Sequence, residues 1–133
     1  SACAGVHANM HKLSHIMAHS TDSQAKFIYG SEIGHDNVPW GINGEEMARM
    51  LHLTSGEAID FMDVLKVLQA ATSEAGKNLG KPLLGTLQRN APADIIAVRG
   101  NAIQRFKLLE YPDLVISGGQ TIVNHFKKNK QNN

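Results

Sequence analysis

The spacing of apolar residues changes along the chain, and each change marks a different kind of element. From Val6 to His19, the apolar residues Val6, Met10, Leu13 and Met17 recur at helical intervals with Lys12 and Ser14 between them, which predicts an amphipathic helix. The polar run Thr21-Asp22-Ser23-Gln24 interrupts it. Phe27, Ile28 and Tyr29 then form a short aromatic and β-branched run, and Gly30 and Gly34 release the backbone behind it. A buried strand that runs into a loop is the economical reading. That loop, from His35 to Gly44, contains the only tryptophan, Trp40. The indole could face a ligand or close against the core, and packing on the core is the preferred reading.

Helical spacing resumes at Gly44. Through Leu53, Met47, Met50 and Leu51 share one face, while Glu45, Glu46 and Arg49 occupy the other. Asp63 is the expected N-cap of a second helix, whose apolar positions are Val64, Leu65, Val67, Leu68 and Ala71. Ser73 caps a further short turn that stops at Gly80, with Pro82 just beyond. After Gly85 the runs become short and β-rich: Leu87, then Ile95, Ile96 and Val98, then Leu114 to Ile116, then Ile122 and Val123. Gly118-Gly119 between the last two runs signals a tight hairpin.

Composition narrows the functional classes. At 133 residues the chain can bury an ordinary core but is too short for a complete eight-stranded α/β barrel of about 250 residues. A net charge of +1, from 13 basic and 12 acidic residues, gives no electrostatic case for nucleic acid or an anionic membrane as partner. The tail from Lys127 to Asn133 is expected to be a frayed terminus. Cys3 is the single cysteine and cannot form an internal disulfide. No apolar run reaches the roughly 18 residues of a membrane span, so the expectation is a soluble chain; the compartment stays open, with a cytoplasmic setting slightly favoured.

Two groups of residues carry candidate chemistry. Ser31, Glu32, His35 and Asp36 follow the Phe27–Tyr29 run, and acids and imidazoles at strand ends are where α/β folds keep their reactive groups. A capped turn leading into a loop is the plainer alternative. The second group is His7, His11, His15 and His19, a stripe along one side of the first helix. Histidines four apart can chelate a transition metal, but a polar or pH-sensitive surface is the stronger reading.

Taken in order, several short motifs resemble the C-terminal part of a metal-dependent amidohydrolase of the imidazolonepropionase, dipeptidase and prolidase-like type. Gly30-Ser31-Glu32 stands where that family has a Gly-Thr/Ser-Asp at the end of its last barrel strand. Ala71-Thr72, Ala75 and Leu79-Gly80 follow, then Gly85-Thr86-Leu87, Ala93-Asp94-Ile95-Ile96 and Val115-Ile116-Ser117-Gly118-Gly119. The resemblance runs from about Lys26 to Val123. It implies an α/β fold: a partial TIM-barrel segment of the last strand and its helices within residues 1–84, followed by a small β-sandwich portion over 85–126. Ala93-Asp94 would then open a sandwich strand and have a structural role.

The resemblance also implies metal-assisted hydrolysis of a C–N bond in an amide, cyclic amide or dipeptide-like substrate. Glu32 would be the catalytic acid-base group or a metal ligand, with His35 and Trp40 lining the pocket and a divalent metal, zinc, as cofactor. The sequence departs from the family pattern in three ways. Glu32 replaces an aspartate, Trp40-Gly41 replaces a His-Gly, and no His-x-His is present. Most metal ligands would therefore come from other chain segments, through the missing barrel portion or a homo-oligomer. The alternative is a non-catalytic, amidohydrolase-like interaction or scaffold protein.

Overall fold

A computed structural model describes residues 27–30, 40–55 and 58–126. The expected first helix with its histidine stripe, Glu32, His35 and the lysine tail lie outside the described residues. Those that are described combine helices with a small three-stranded antiparallel sheet. None of their helices is long and apolar enough to cross a membrane.

Helix α1 spans Gly44–Thr54. The Asn43 side-chain oxygen accepts from the backbone N–H groups of Glu45 and Glu46, both at 3.1 Å, and the two acids of the first turn suit the positive end of the helix. Thr54 and Ser55 close the other end by donating their hydroxyls to the carbonyls of Met50 and Leu51, at 2.8 and 2.7 Å.

Helix α2 spans Phe61–Ala70, so it begins before the expected Asp63 cap. Asp60 is the cap, and Asp63 completes a reciprocal box: Asp63 N–H donates to Asp60 Oδ1 at 2.9 Å, and Asp60 N–H donates to Asp63 Oδ2 at 3.2 Å. The apolar period hides this start because Phe61 and Met62, in the first turn, face solvent. Val64, Val67 and Ala70 form the buried stripe. Helix α3, Ser73–Asn78, packs its Gly76 against the chain at Leu84, where a Cβ would collide with backbone.

The core consists of Met47 from α1, Val64 and Val67 from α2, and Phe106, with Tyr29, Ile42, Leu51, Leu68 and Leu109 around it. Phe106 opens a 3₁₀ helix, Phe106–Glu110, that lies in the connection between the first two strands. Nothing in the local sequence pattern marks that residue as core.

Strands β1 (Ile95–Ala97), β2 (Leu114–Ser117) and β3 (Gln120–Asn124) pair in the order β1-β2-β3. Val115 faces Val123 but Ile116 faces Thr121, so Ile122 is an extra residue at a bulge. The expected hairpin is present: Gly118 and Gly119 have φ of 54° and 80°, the left-handed pair a two-residue turn requires. Asp94 has the expected structural role, since its Oδ1 accepts from the Gly118 N–H at 2.7 Å. Two β expectations fail. Leu87 belongs to no strand and is 85% exposed. Residues 27–30 also join no strand, because the carbonyl that receives the Tyr29 N–H, at 3.0 Å, is that of Ala70 at the end of α2.

Candidate functional site

Tyr29 ties α2 to the start of α1. Its N–H is tied to α2, and its hydroxyl accepts from the Asn43 N–H at 2.9 Å and donates to the Asn43 carbonyl at 3.3 Å. Asn43 also caps α1. The chain therefore leaves Tyr29 and returns at Asn43 to a shared anchor, and Glu32 and His35 fall in the stretch between the two. Sequence reading treats Tyr29 only as a β-former and misses this role. The partner is 14 residues away and the contact is to backbone, for which no side-chain pattern exists.

A second fixed point lies beside it. The Gly44 N–H donates to Glu110 Oε1 at 2.9 Å, which joins the start of α1 to the end of the 3₁₀ helix. Gly44 is backed directly onto that helix: a Cβ there would stand 2.8 Å from the backbone of Phe106 and Lys107. Only glycine permits this approach. Glu110 carries no sequence signal for its role, because its acceptor function depends on a contact spanning 66 residues.

Between α1 and the 3₁₀ helix runs a cleft of about 790 Å³. Trp40 and Tyr111 stand on its lining with 85% and 80% of their surface exposed, and His52, Arg105 and Lys107 add polar and cationic groups. Trp40 thus lines a cavity, contrary to the preferred reading that it packs on the core. The α1 surface beside it is self-paired, with Arg49 Nη2 at 2.6 Å from Glu45 Oε1. The cleft lining combines exposed rings, the cations Arg105 and Lys107, and the carboxylates of Glu45 and Glu110, which are engaged by Arg49 and by the Gly44 N–H. Among the described residues, no three His, Cys, Asp or Glu side chains converge on a metal-sized site. The described residues therefore do not by themselves fit a metal centre.

Among the described residues, one carboxyl has a clearly shifted acidity. Asp63 is held below the usual aspartate range, first by the Asp60 backbone N–H and then by the Lys66 ammonium, which lies 3.2 Å from Oδ1. Both are partners of its own helix terminus, so the shift belongs to α2 and not to the cleft.

No protein-family model and no curated protein matches the chain. A solved structure does: the crystal structure of a Xaa-Pro dipeptidase with bound methionine in the active site is 28% identical, with a TM-score of 0.66. The similarity covers 84% of this chain and 25% of that one, so the chain spans about a quarter of the dipeptidase's length. In architecture, this chain is similar to part of a hydrolase.

Proposed function

We propose that the chain is the C-terminal portion of an amidohydrolase-type hydrolase acting on a C–N bond in a dipeptide-like or cyclic amide substrate. The observation that carries this reading is the structural match to a Xaa-Pro dipeptidase over 84% of the chain. The order of motifs from Gly30-Ser31-Glu32 to Gly118-Gly119 supports it independently. In this reading residues 1–84 supply the last barrel strand and its helices, and 85–126 form part of a β-sandwich. The remaining strands come from other chain segments or a second copy.

Glu32 is the acid-base group: its carboxylate accepts a proton from the attacking water and returns it to the leaving nitrogen. His35 and Trp40 border the substrate. A divalent metal such as zinc would, when bound, polarise the carbonyl and acidify water, with Glu32 among its ligands and the others supplied by other chain segments. Glutamate is one methylene longer than the aspartate of the family pattern, and a displacement near 1 Å can cost about a hundredfold in rate.

The test joins metal content to turnover. Protein prepared without a metal column is analysed by elemental mass spectrometry beside His11→Ala/His15→Ala and Glu32→Gln, and each is assayed on dipeptides and cyclic amides. Metal that survives loss of the two histidines, with turnover abolished by Glu32→Gln in a folded chain, is the expected result. Metal lost with the histidines, or turnover indifferent to Glu32→Gln, would overturn the assignment.

A further inference from the structure

Asn43-Gly44 is the only Asn-Gly pair in the chain, and it occupies the junction of the two anchors described above. Asn-Gly is the dipeptide most prone to spontaneous deamidation, because glycine leaves the following amide nitrogen unhindered. In that reaction the Gly44 nitrogen loses its proton and attacks Asn43 Cγ. The new N–Cγ bond closes a succinimide while the Cγ–Nδ2 bond breaks and ammonia leaves. Water then opens the ring at either carbonyl, which leaves aspartate or isoaspartate at position 43.

Three features of the fold oppose each requirement of this chemistry. At ψ 99° the Gly44 nitrogen is turned away from Asn43 Cβ, whereas ring closure needs the two nearly eclipsed about the Cα–C bond. The Asn43 amide is fixed by the two N–H groups it caps. The nucleophile itself is engaged, since the Gly44 N–H donates to the Glu110 carboxylate at 2.9 Å, and a nearby anion disfavours loss of that proton. We propose that Asn43 is a latent deamidation site kept closed by Glu110, so that separation of α1 from the 3₁₀ helix exposes it to modification.

The consequence is local and severe. Isoaspartate inserts a methylene into the backbone at the helix cap. The cap bonds and the Tyr29 anchor are then lost together, along with the wall of the cleft nearest Trp40. Opening of this junction would therefore leave a permanent covalent record. The inference does not depend on the hydrolase reading.

The full chain, Glu110→Ala, Glu110→Gln and Ile116→Ala are incubated in mildly alkaline buffer, and isoaspartate at position 43 is quantified by peptide mass spectrometry. Loss of one hydrogen bond to a charged acceptor predicts about a tenfold faster reaction in Glu110→Ala. Glu110→Gln, which keeps an acceptor oxygen, should remain closer to wild type. Ile116→Ala weakens the sheet, away from the core shared by α1 and the 3₁₀ helix, and serves as the stability control. Equal rates in Glu110→Ala and wild type, or equal acceleration in Ile116→Ala, would overturn the proposal. The wild type supplies a measure that no variant's folding can spoil. Through sub-denaturing urea, deamidation should rise in step with hydrogen exchange at the Gly44 amide, and deamidation that rises while that amide stays protected would also overturn it.

Discussion

The helical region and the sheet are stabilised in different ways. Around Met47, Val64, Val67 and Phe106, elements from distant parts of the sequence enclose side chains almost completely, and Met47 and Val67 are each 1% exposed. In the sheet no residue of β1, β2 or β3 is buried, although eight of its positions are isoleucine, valine, leucine or alanine. Its order comes from ladder bonds, the Gly118-Gly119 turn on Asp94, and a clasp at the far end. There Arg99 Nη2 reaches the His125 carbonyl at 2.5 Å, its Nη1 lies 3.5 Å from Asp113 Oδ1, and its guanidinium sits 4.8 Å from the Phe126 ring centre. A sheet with apolar residues on both faces and neither face closed has the composition of an interior sheet. The helices complete a core, while the strands leave their apolar residues half-buried or exposed.

The largest effect expected from this contrast is in the core. Met47→Ala should lower unfolding stability by about 2–5 kcal/mol, the range for truncating a fully buried side chain. Ile116→Ala, at a half-buried strand position, should cost about 1 kcal/mol. Urea denaturation of both variants gives the two numbers. A comparable loss for Ile116→Ala would mean that the sheet already has a core of its own, and the contrast would fail.

Glycines sharpen the comparison at intermediate cost. Gly44→Ala places a methyl 2.8 Å from the Phe106 carbonyl, an overpacking expected to cost about 1–3 kcal/mol. At Gly119 a Cβ meets nothing within 4 Å, so the penalty there is conformational, about 1–2 kcal/mol for a left-handed residue. Asparagine tolerates that conformation, so Gly119→Asn should recover part of the loss from Gly119→Ala, whereas Gly44→Asn should be no better than Gly44→Ala. Thermal melts of the four variants separate crowding from backbone strain. Recovery at Gly44 would show that α1 can lift away from the 3₁₀ helix at little cost.

The same division explains what could be read from the sequence. Local signals were legible: the α1 face, the Val64–Val67 stripe, the three short strands and the Gly-Gly turn all follow from spacing or from a residue with a special backbone preference. Contacts between distant residues were not. Phe106 sits between ordinary polar neighbours, and its burial depends on where α1 packs. Glu110 reads as a solvated acid until Gly44 is placed against it. Trp40 was misjudged for the opposite reason: a large ring usually finds a core, but this one borders a cleft that no local pattern reveals. The candidate site at Glu32 and His35 rests on motif order alone, since both residues lie outside the described ones.

The smallest effect concerns pH and is confined to the helical region. Asp63 titrates below the ordinary aspartate range because its ionised form accepts from the Asp60 backbone and faces Lys66. A carboxyl whose folded pKa is depressed adds stability above its unfolded pKa and loses it as pH falls through the folded one. Acidification should therefore weaken α2 at its first turn, with the loss beginning in the usual aspartate range and completed below it. Asp63→Asn removes the titrating group and should flatten this part of the stability curve. Chemical denaturation of both proteins across the acid range tests this. If the wild type and Asp63→Asn lose stability in parallel, the box at α2 is not the acid-sensitive contact.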